Sequence, residues 1–303
     1  MTDVVDVVVE RLWPGKPRRI QRLEGGITNA NFRVEVGDEC VVVRVPGAQT
    51  ELLGIDRRSE AAATRLAAAI GVGPEVVTVV EDPWCLVTRF IAARPIDRAE
   101  LAAEPMLGQV IATLRRVHGA GTIPTTFDYF AVIGRYHAEA SQRGVSEPFD
   151  FTHASAVMQR IAAARPFRPT VLGHNDLLNA NFLYDGAVRI LDWEYAGMTD
   201  PFFDLANLSV NHGFPPERDE ALLEHYFGRC DDGLRAVLGL MKMVSELREA
   251  MWGVIQMAIS DLDVDYGSYA AERAVHFESL VAGDDFAHLL AMATPSADGP
   301  PTA

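Results

Sequence analysis

His174, Asp176 and Asn181 stand in one eight-residue stretch, His174-Asn175-Asp176-Leu177-Leu178-Asn179-Ala180-Asn181, and Asp192 follows eleven residues after Asn181 in Ile190-Leu191-Asp192-Trp193. A carboxylate can orient an acceptor hydroxyl and take its proton, which is the role open to Asp176. Magnesium takes hard oxygen ligands, bridges phosphates and keeps several waters, so one carboxamide, Asn181, and one carboxylate, Asp192, suffice as its protein ligands. His174 is then an organiser of the loop rather than a base. Each of these residue types alone also suits a turn, because Asp and Asn tolerate left-handed backbone and bond their own main chain. Taken as an ordered set on a strand-loop-strand background, they point to phosphoryl transfer.

Such a loop has to be carried by regular elements. Short β-type runs surround it, Val171-Leu172, Phe182-Leu183-Tyr184 and Val188-Arg189-Ile190-Leu191, with Asp185-Gly186 as a hairpin turn. The rest of the second half reads as helical. Met106, Leu107, Val110, Ile111, Leu114 and Val117 recur at helical spacing up to His118-Gly119. Further helices are expected over Tyr129–Arg143, Thr152–Ala164, Ala221–Phe227, Leu234–Ile259 and Gly267–Leu290. The first half differs. Asn31 to Val45 reads as a hairpin turning at Gly37-Asp38, Arg57 to Ile70 as an Ala- and Leu-rich helix stopped by Gly71, and Glu75 to Val80 and Trp84 to Ile91 as strands separated by Glu81-Asp82-Pro83. This predicts an order of strand, strand, helix, strand, strand, and an α+β chain divided into a β-rich lobe over 1–91, a helical lobe over 92–290 and a small, polar, proline-containing tail over 291–303, expected to be poorly ordered. No internal repeat is present.

The 303 residues, 49% hydrophobic and 23% charged, fit a globular chain with two lobes. Lys and Arg number 27 against 42 Asp and Glu, a formal net charge of -15, which repels a nucleic-acid backbone. A small cationic substrate suits that field, although acidity for solubility alone is the commoner reason. Cys40, Cys85 and Cys230 are isolated, without disulfide or metal-ligand spacing. The amino-terminal segment lacks a secretory pattern, and the apolar run from Leu238 to Ile259 is broken by Lys242, Glu246, Arg248 and Glu249. A cytoplasmic location without membrane insertion is expected. No pattern addresses oligomeric state.

Three segments, HNDLLNANF, ILDWEYAGMTDPFFDLANLS and GGITNANFRV, give the sequence a resemblance to the choline/ethanolamine kinase family, within the broader aminoglycoside-phosphotransferase-like group, from about Leu23 to about Leu280. The resemblance implies a bilobal protein-kinase-like fold, with a small β-rich amino-terminal lobe, a hinge and a larger helical lobe that holds the catalytic loop. The strand and helix order above agrees with it. By position, Arg44 stands where nucleotide phosphates are held, and a guanidinium can grip two phosphate oxygens. Glu60 is its orienting partner. Gly25, Gly26, Ile27, Thr28 and Asn29 form the turn over the phosphates. Arg89, Phe90 and Ile91 form the hinge beside the adenine, and Asp204 anchors the catalytic loop.

For the acceptor, Trp252 matches one tryptophan of the family's choline pocket, where an aromatic face attracts a quaternary ammonium. Glu249, one turn earlier, stands where eukaryotic choline kinases carry a second tryptophan. This departure removes an aromatic wall and adds a carboxylate, which suits a primary ammonium at least as well as choline. Asn211 stands near a family glutamate, as though the carboxylate had moved from one helix to another. Glu194 faces either metal or substrate. Tyr195, Tyr266 and Tyr269 are further aromatic candidates, with helix packing as their competing explanation. The expected activity is an ATP- and Mg2+-dependent transfer, direct and in line, to the hydroxyl of a cationic alcohol of choline or ethanolamine type. The alternatives are an aminoglycoside, thiamine or sugar acceptor, and a non-catalytic nucleotide-binding module. Intact Asp176, Asn181 and Asp192 argue against the last.

Overall fold

Alternation builds the first lobe. Phe32, Val34 and Val36 on β2 (Asn29–Val36) and Val41, Val43 and Val45 on β3 (Glu39–Pro46) are all buried, with polar residues between them. In the computed structural model, which describes residues 2–24, 28–283 and 286–293, these strands belong to a five-stranded antiparallel sheet ordered β1-β2-β3-β5-β4, with β1 at Arg18–Arg22, β4 at Val76–Glu81 and β5 at Trp84–Arg89. A helix, α1 (Thr2–Leu12), lays Val5, Val8 and Val9 on this sheet, and Trp13 just beyond it joins them. Neither α1 nor β1 is expected from the sequence. The valine run of α1 carries strand propensity, and β1 has a single apolar residue, Ile20; both are set by the partner surface.

Between β3 and β4 lies α2 (Arg57–Ala69), capped by Asp56, whose carboxylate accepts from the amides of Arg58 at 2.9 Å and Ser59 at 3.4 Å. Although α2 follows the sheet in sequence, its apolar face belongs elsewhere. Ala63 and Ala67, with Leu53, Ile55 and Val72 beside them, pack into the core of the helical lobe, while the sheet and α1 form a separate core. Polar contacts agree: Ser59 bonds Thr125, Tyr136 donates to the Leu53 carbonyl at 2.9 Å, and the amide of Ile190 donates to the Val72 carbonyl at 3.2 Å.

The second lobe contains β6 (Arg94–Pro95), α3 (Arg98–Ala102), α4 (Met106–His118), α5 (Tyr129–Gln142), α6 (Phe151–Ala164), β7 (Val171–Gly173), β8 (Phe182–Tyr184), β9 (Val188–Ile190), β10 (Gly197–Thr199), α7 (Pro201–His212), α8 (Pro216–Phe227), α9 (Asp232–Ile259), α10 (Tyr266–Gly283) and α11 (Phe286–Met292). Its strands make two small sheets, β6-β8-β9 and β10-β7. At the end of β7 a side chain on Gly173 would lie 2.3 Å from Thr199 on β10, so only glycine fits there. The sequence does not suggest α7, because all twelve of its residues are buried and no face of it is given to water. Of the single helix expected over Gly267–Leu290, the described residues form α10 and α11, with 284 and 285 outside them. The segment expected as a tail begins inside α11, and residues 294–303 lie outside the described chain. Among the described residues, no helix is long and apolar enough to cross a membrane, and the three cysteines are free.

Candidate active site

The catalytic loop hangs from α7. Asp204, fully buried in the first turn of that helix, accepts hydrogen bonds from the amide of His174 at 2.8 Å, the amide of Asn175 at 2.7 Å and Nε2 of His118 at 3.0 Å. Burial pushes its pKa up, but the bond from His118 and the neighbouring positive character outweigh it, so Asp204 is held below the usual carboxylate range. One turn later, Asn207 Oδ1 takes the amide of Leu177 at 2.7 Å. His174 donates from Nε2 to the Leu191 carbonyl at 2.8 Å and accepts the Asp176 amide at Nδ1 at 3.3 Å. Both ring nitrogens are engaged, and burial lowers its pKa, so His174 is a neutral spacer between loop and hairpin.

Asp176 and Asn181 are linked directly. Asn181 Nδ2 donates to the Asp176 carbonyl at 2.9 Å and reaches its carboxylate at 3.5 Å, which leaves the Asn181 carbonyl oxygen as the acceptor end of that side chain. Leu191 donates its amide to the main-chain carbonyl of Asn181 at 2.9 Å, which brings Asp192 towards Asn181. Asn175 and Asp192 both adopt left-handed backbone, each with φ of 65°, a conformation unusual for residues with side chains and typical of functional loops. Burial raises the pKa of Asp176 well above the ordinary aspartate value; Arg248 opposes this, while Glu249, Asp192 and Glu194 add to it.

On the sheet side the charges form an alternating chain. Arg44 on β3 donates through Nη1 to Asp192 at 2.5 Å and to Glu60 Oε1 at 2.7 Å, and through Nε to Asn31, its cross-strand neighbour on β2, at 3.3 Å. The other Glu60 oxygen accepts from Arg57 Nη1 at 2.8 Å, and the same nitrogen reaches Glu194 at 3.2 Å. Glu194 then accepts from Thr28 Oγ1 at 2.5 Å and Asn29 Nδ2 at 2.7 Å. Burial and repulsion from Asp192 outweigh Arg44 and Arg57, so the Glu194 carboxyl is pushed up to about 7. Thr28, Asn29, Arg44, Glu60, Asp192 and Glu194 are therefore one connected group. Gly25 and Gly26 lie outside the described residues.

Beside this chain opens a cleft of about 250 Å3, lined by Arg44, Asn181 and Asp192 on one side and by Arg89, Phe90 and Ile91 on the other. The strand expected to run to Ile91 stops at Arg89, and the Phe90 amide donates to the Cys40 carbonyl at 3.0 Å, so Phe90 and Ile91 form the connection between the lobes. Arg89 also pairs with Glu39 at 2.6 Å, and the Arg33 guanidinium lies 4.6 Å from the Phe90 ring centre.

On the far side of the catalytic loop, Trp252 donates from its indole to the Tyr195 hydroxyl at 2.9 Å and meets Tyr266 and Tyr269 edge-on at 5.9 and 5.8 Å. Glu249 is not a solvated helix residue but is 2% exposed, accepting from Arg248 at 2.6 Å, Asn207 at 3.0 Å and the Tyr269 hydroxyl at 3.0 Å. Asn211 donates to Asn207 at 3.1 Å and accepts from Arg273 at 2.7 Å. Asn207 thus ties Asn211 and Glu249 to the catalytic loop. Two residues escaped the sequence reading. Arg248, stacked 4.9 Å from Tyr195, donates to the Asn175 carbonyl at 2.7 Å, and Arg57 bridges Glu60 and Glu194. A signal existed for each: Arg57 precedes Glu60 by one helical turn, and Arg248 interrupts an apolar run.

Residues 19–240 match the phosphotransferase enzyme family. Homo sapiens ethanolamine kinase 2 is 27% identical over 292 residues, spanning 86% of this chain and 75% of the human protein. Among solved structures, a choline/ethanolamine kinase family protein from Mesorhizobium loti superposes with a TM-score of 0.80 at 32% identity, over 96% of this chain and 98% of that one. Choline kinase LicA from Streptococcus pneumoniae shares the fold, with a TM-score of 0.75 at 22% identity over 93% of this chain and 99% of its own. With its β-rich lobe over a helical lobe and the loop of Asp176 and Asn181 between them, the chain belongs to the phosphotransferase enzyme family, in its choline/ethanolamine kinase group.

Proposed function

We propose that the chain transfers the terminal phosphoryl group of ATP to the hydroxyl of a small amino alcohol of ethanolamine or choline type. The observation that carries the reading is the joining of Asn181, Asp192 and Arg44 at the cleft, with Asp176 tied to Asn181 by hydrogen bonds and its carboxylate within electrostatic reach of Arg248 and Glu249. Adenine is assigned to the end of the cleft at Phe90 and Ile91, and the phosphates to the end at Arg44. Asp176 orients the acceptor hydroxyl and accepts its proton. Its raised pKa makes it a stronger base than an ordinary aspartate once ionised.

Asn181 and Asp192 fit Mg2+. The amide nitrogen of Asn181 is tied to the catalytic loop, its carbonyl oxygen is left over, and Asp192 supplies a carboxylate beside it. An ion held by these two protein oxygens would take its remaining ligands from phosphates and water. When bound, the ion neutralises charge on the phosphate oxygens. Arg44, oriented by Glu60, supports the same charge from the sheet side. Trp252 and the three tyrosines around it, Tyr195, Tyr266 and Tyr269, supply an aromatic face for the ammonium end of the acceptor.

ADP release measured over ethanolamine, choline, aminoglycosides, thiamine and amino sugars tests the acceptor. Turnover is expected with one or both amino alcohols, and turnover confined to an aminoglycoside, thiamine or a sugar overturns the assignment. Asp176→Asn is expected to lower kcat by about 10²-fold or more while leaving nucleotide affinity within about twofold. Near-normal kcat in that variant removes Asp176 from the chemistry.

A further inference from the structure

Arg57 carries a donor edge with nothing on it. Its Nη1 is held by Glu60 at 2.8 Å and Glu194 at 3.2 Å, yet Nε and Nη2 are buried without a hydrogen-bond partner. Among the described residues it is the one arginine with two such buried nitrogens. In a guanidinium, Nε–H and Nη2–H point the same way and form the fork that takes two oxygens of a phosphate or carboxylate. Native structures rarely bury donors unpaired, and a charged fork left so inside an active site is suited to an anionic ligand. The side chain is 13% exposed, with the Trp84 ring 5.9 Å from its guanidinium carbon.

Position says which anion. Arg44 and Arg57 take the two oxygens of the single Glu60 carboxylate, so the two guanidinium groups stand side by side. Arg44 lines the nucleotide cleft together with Phe90 and Ile91. The second partner of Arg57, Glu194, instead lines a second cavity of about 200 Å3 together with Thr125 and Tyr195, and the Tyr195 hydroxyl receives the Trp252 indole. Arg57 itself lines neither cavity but stands between Glu60, which it shares with Arg44 of the nucleotide cleft, and Glu194 of the second cavity. We propose that Arg57 is a second phosphate-binding residue, whose Nε and Nη2 fork holds the terminal phosphate of the nucleotide during transfer.

Thr28 and Asn29, just before and at the start of β2, hold Glu194 from the sheet side, whereas Arg57 holds it from α2, whose apolar face packs into the core of the helical lobe.

The inference rests on the cleft being a nucleotide site, and the test separates the two. Calorimetric titrations with Mg2+ compare a non-hydrolysable ATP analogue, ADP and adenosine on the wild-type chain, Arg57→Gln, Arg57→Lys, Glu194→Gln and the double variant Arg57→Gln/Glu194→Gln. Arg57→Gln is expected to lose about tenfold or more on the triphosphate and less than about threefold on ADP, with adenosine unchanged. Arg57→Lys, which keeps charge but not the fork, should fall between. The loss should persist in the Glu194→Gln background, because the contact is direct. An equal loss on all three ligands, no loss on the triphosphate, or disappearance of the effect once Glu194 is neutral overturns the proposal. A wild-type chain that binds none of the three overturns the nucleotide reading and the inference together.

Discussion

At Trp252 and Glu249, one helical turn apart on α9, two kinds of attraction for a cation become separable. Trp252 offers a ring face while its indole is fixed on Tyr195, so Trp252→Ala removes an aromatic wall. Cation–π attraction of about 0.5–2 kcal/mol corresponds to a roughly 2- to 30-fold rise in KM, expected to be larger for choline than for ethanolamine. Glu249 behaves differently because Arg248, Asn207 and Tyr269 already hold it. Glu249→Gln leaves the Arg248 guanidinium buried without its carboxylate, which lowers stability by on the order of 3 kcal/mol and should raise KM for ethanolamine more than for choline. Steady-state kinetics on both acceptors, read beside thermal melts, decide the matter. Equal loss on both acceptors in Trp252→Ala, with a large fall in Tm, assigns that residue to packing.

The element that organises the catalytic loop is α7, and it is poor in signals because it is buried on every side. Asp204, Asn207 and Asn211 recur at helical spacing and face the loop and α9 with polar groups, while Phe202, Phe203, Leu205 and Leu208 fill the core. Its last residue gives a pH signature. His212 donates to the Leu208 carbonyl at 2.8 Å, and burial pushes its pKa down to about 4. A histidine whose folded pKa is lowered stabilises the fold while it is neutral, and that stabilisation is lost as pH falls, because the unfolded chain takes the proton first. Between about pH 6.5 and 4, wild type should lose on the order of 3 kcal/mol that a His212→Gln variant does not lose. Denaturant titrations of both chains across that range measure it, and parallel curves would count against a buried neutral His212.

For the whole molecule, the covalent order and the packing order disagree at α2. The helix is part of the first lobe by sequence, yet it buries Ala63 and Ala67 in the core of the second. Glu60 is therefore presented to Arg44 from the catalytic side, and the contact between the lobes runs along Asp192, Arg44, Glu60, Arg57 and Glu194. Hydrogen exchange in mild denaturant reports such units. The amides of α2 are expected to exchange with those of α9, and the strands of the sheet to form a separate class. Exchange of α2 together with β2 and β3 would place it back with the sheet.

Features that depend on neighbours in the chain were legible in the order of residues. The hairpin of β2 and β3, the helix α2 and the amphipathic α4 follow from apolar spacing and turn residues, and the order of His174, Asp176, Asn181 and Asp192 is a local pattern whose chemistry can be read from residue type alone. Features that depend on distant partners emerged with the folded chain. Arg57 meets Glu194 across 137 positions and Arg248 meets Asn175 across 73, so the local signals at both arginines could not name these partners. Glu249 has the composition of a surface residue and the partners of a buried one. Strand β1 and helix α7 show no division into a water face and a core face, since β1 is set by the edge that receives it and α7 is received all round, while in α1 the strand propensity of a valine run competes with the helical spacing of Val5, Val8 and Val9. Periodicity records how a segment divides itself between water and core, and it falls silent where the segment has no face left for water or where a charge is met by a partner far along the chain.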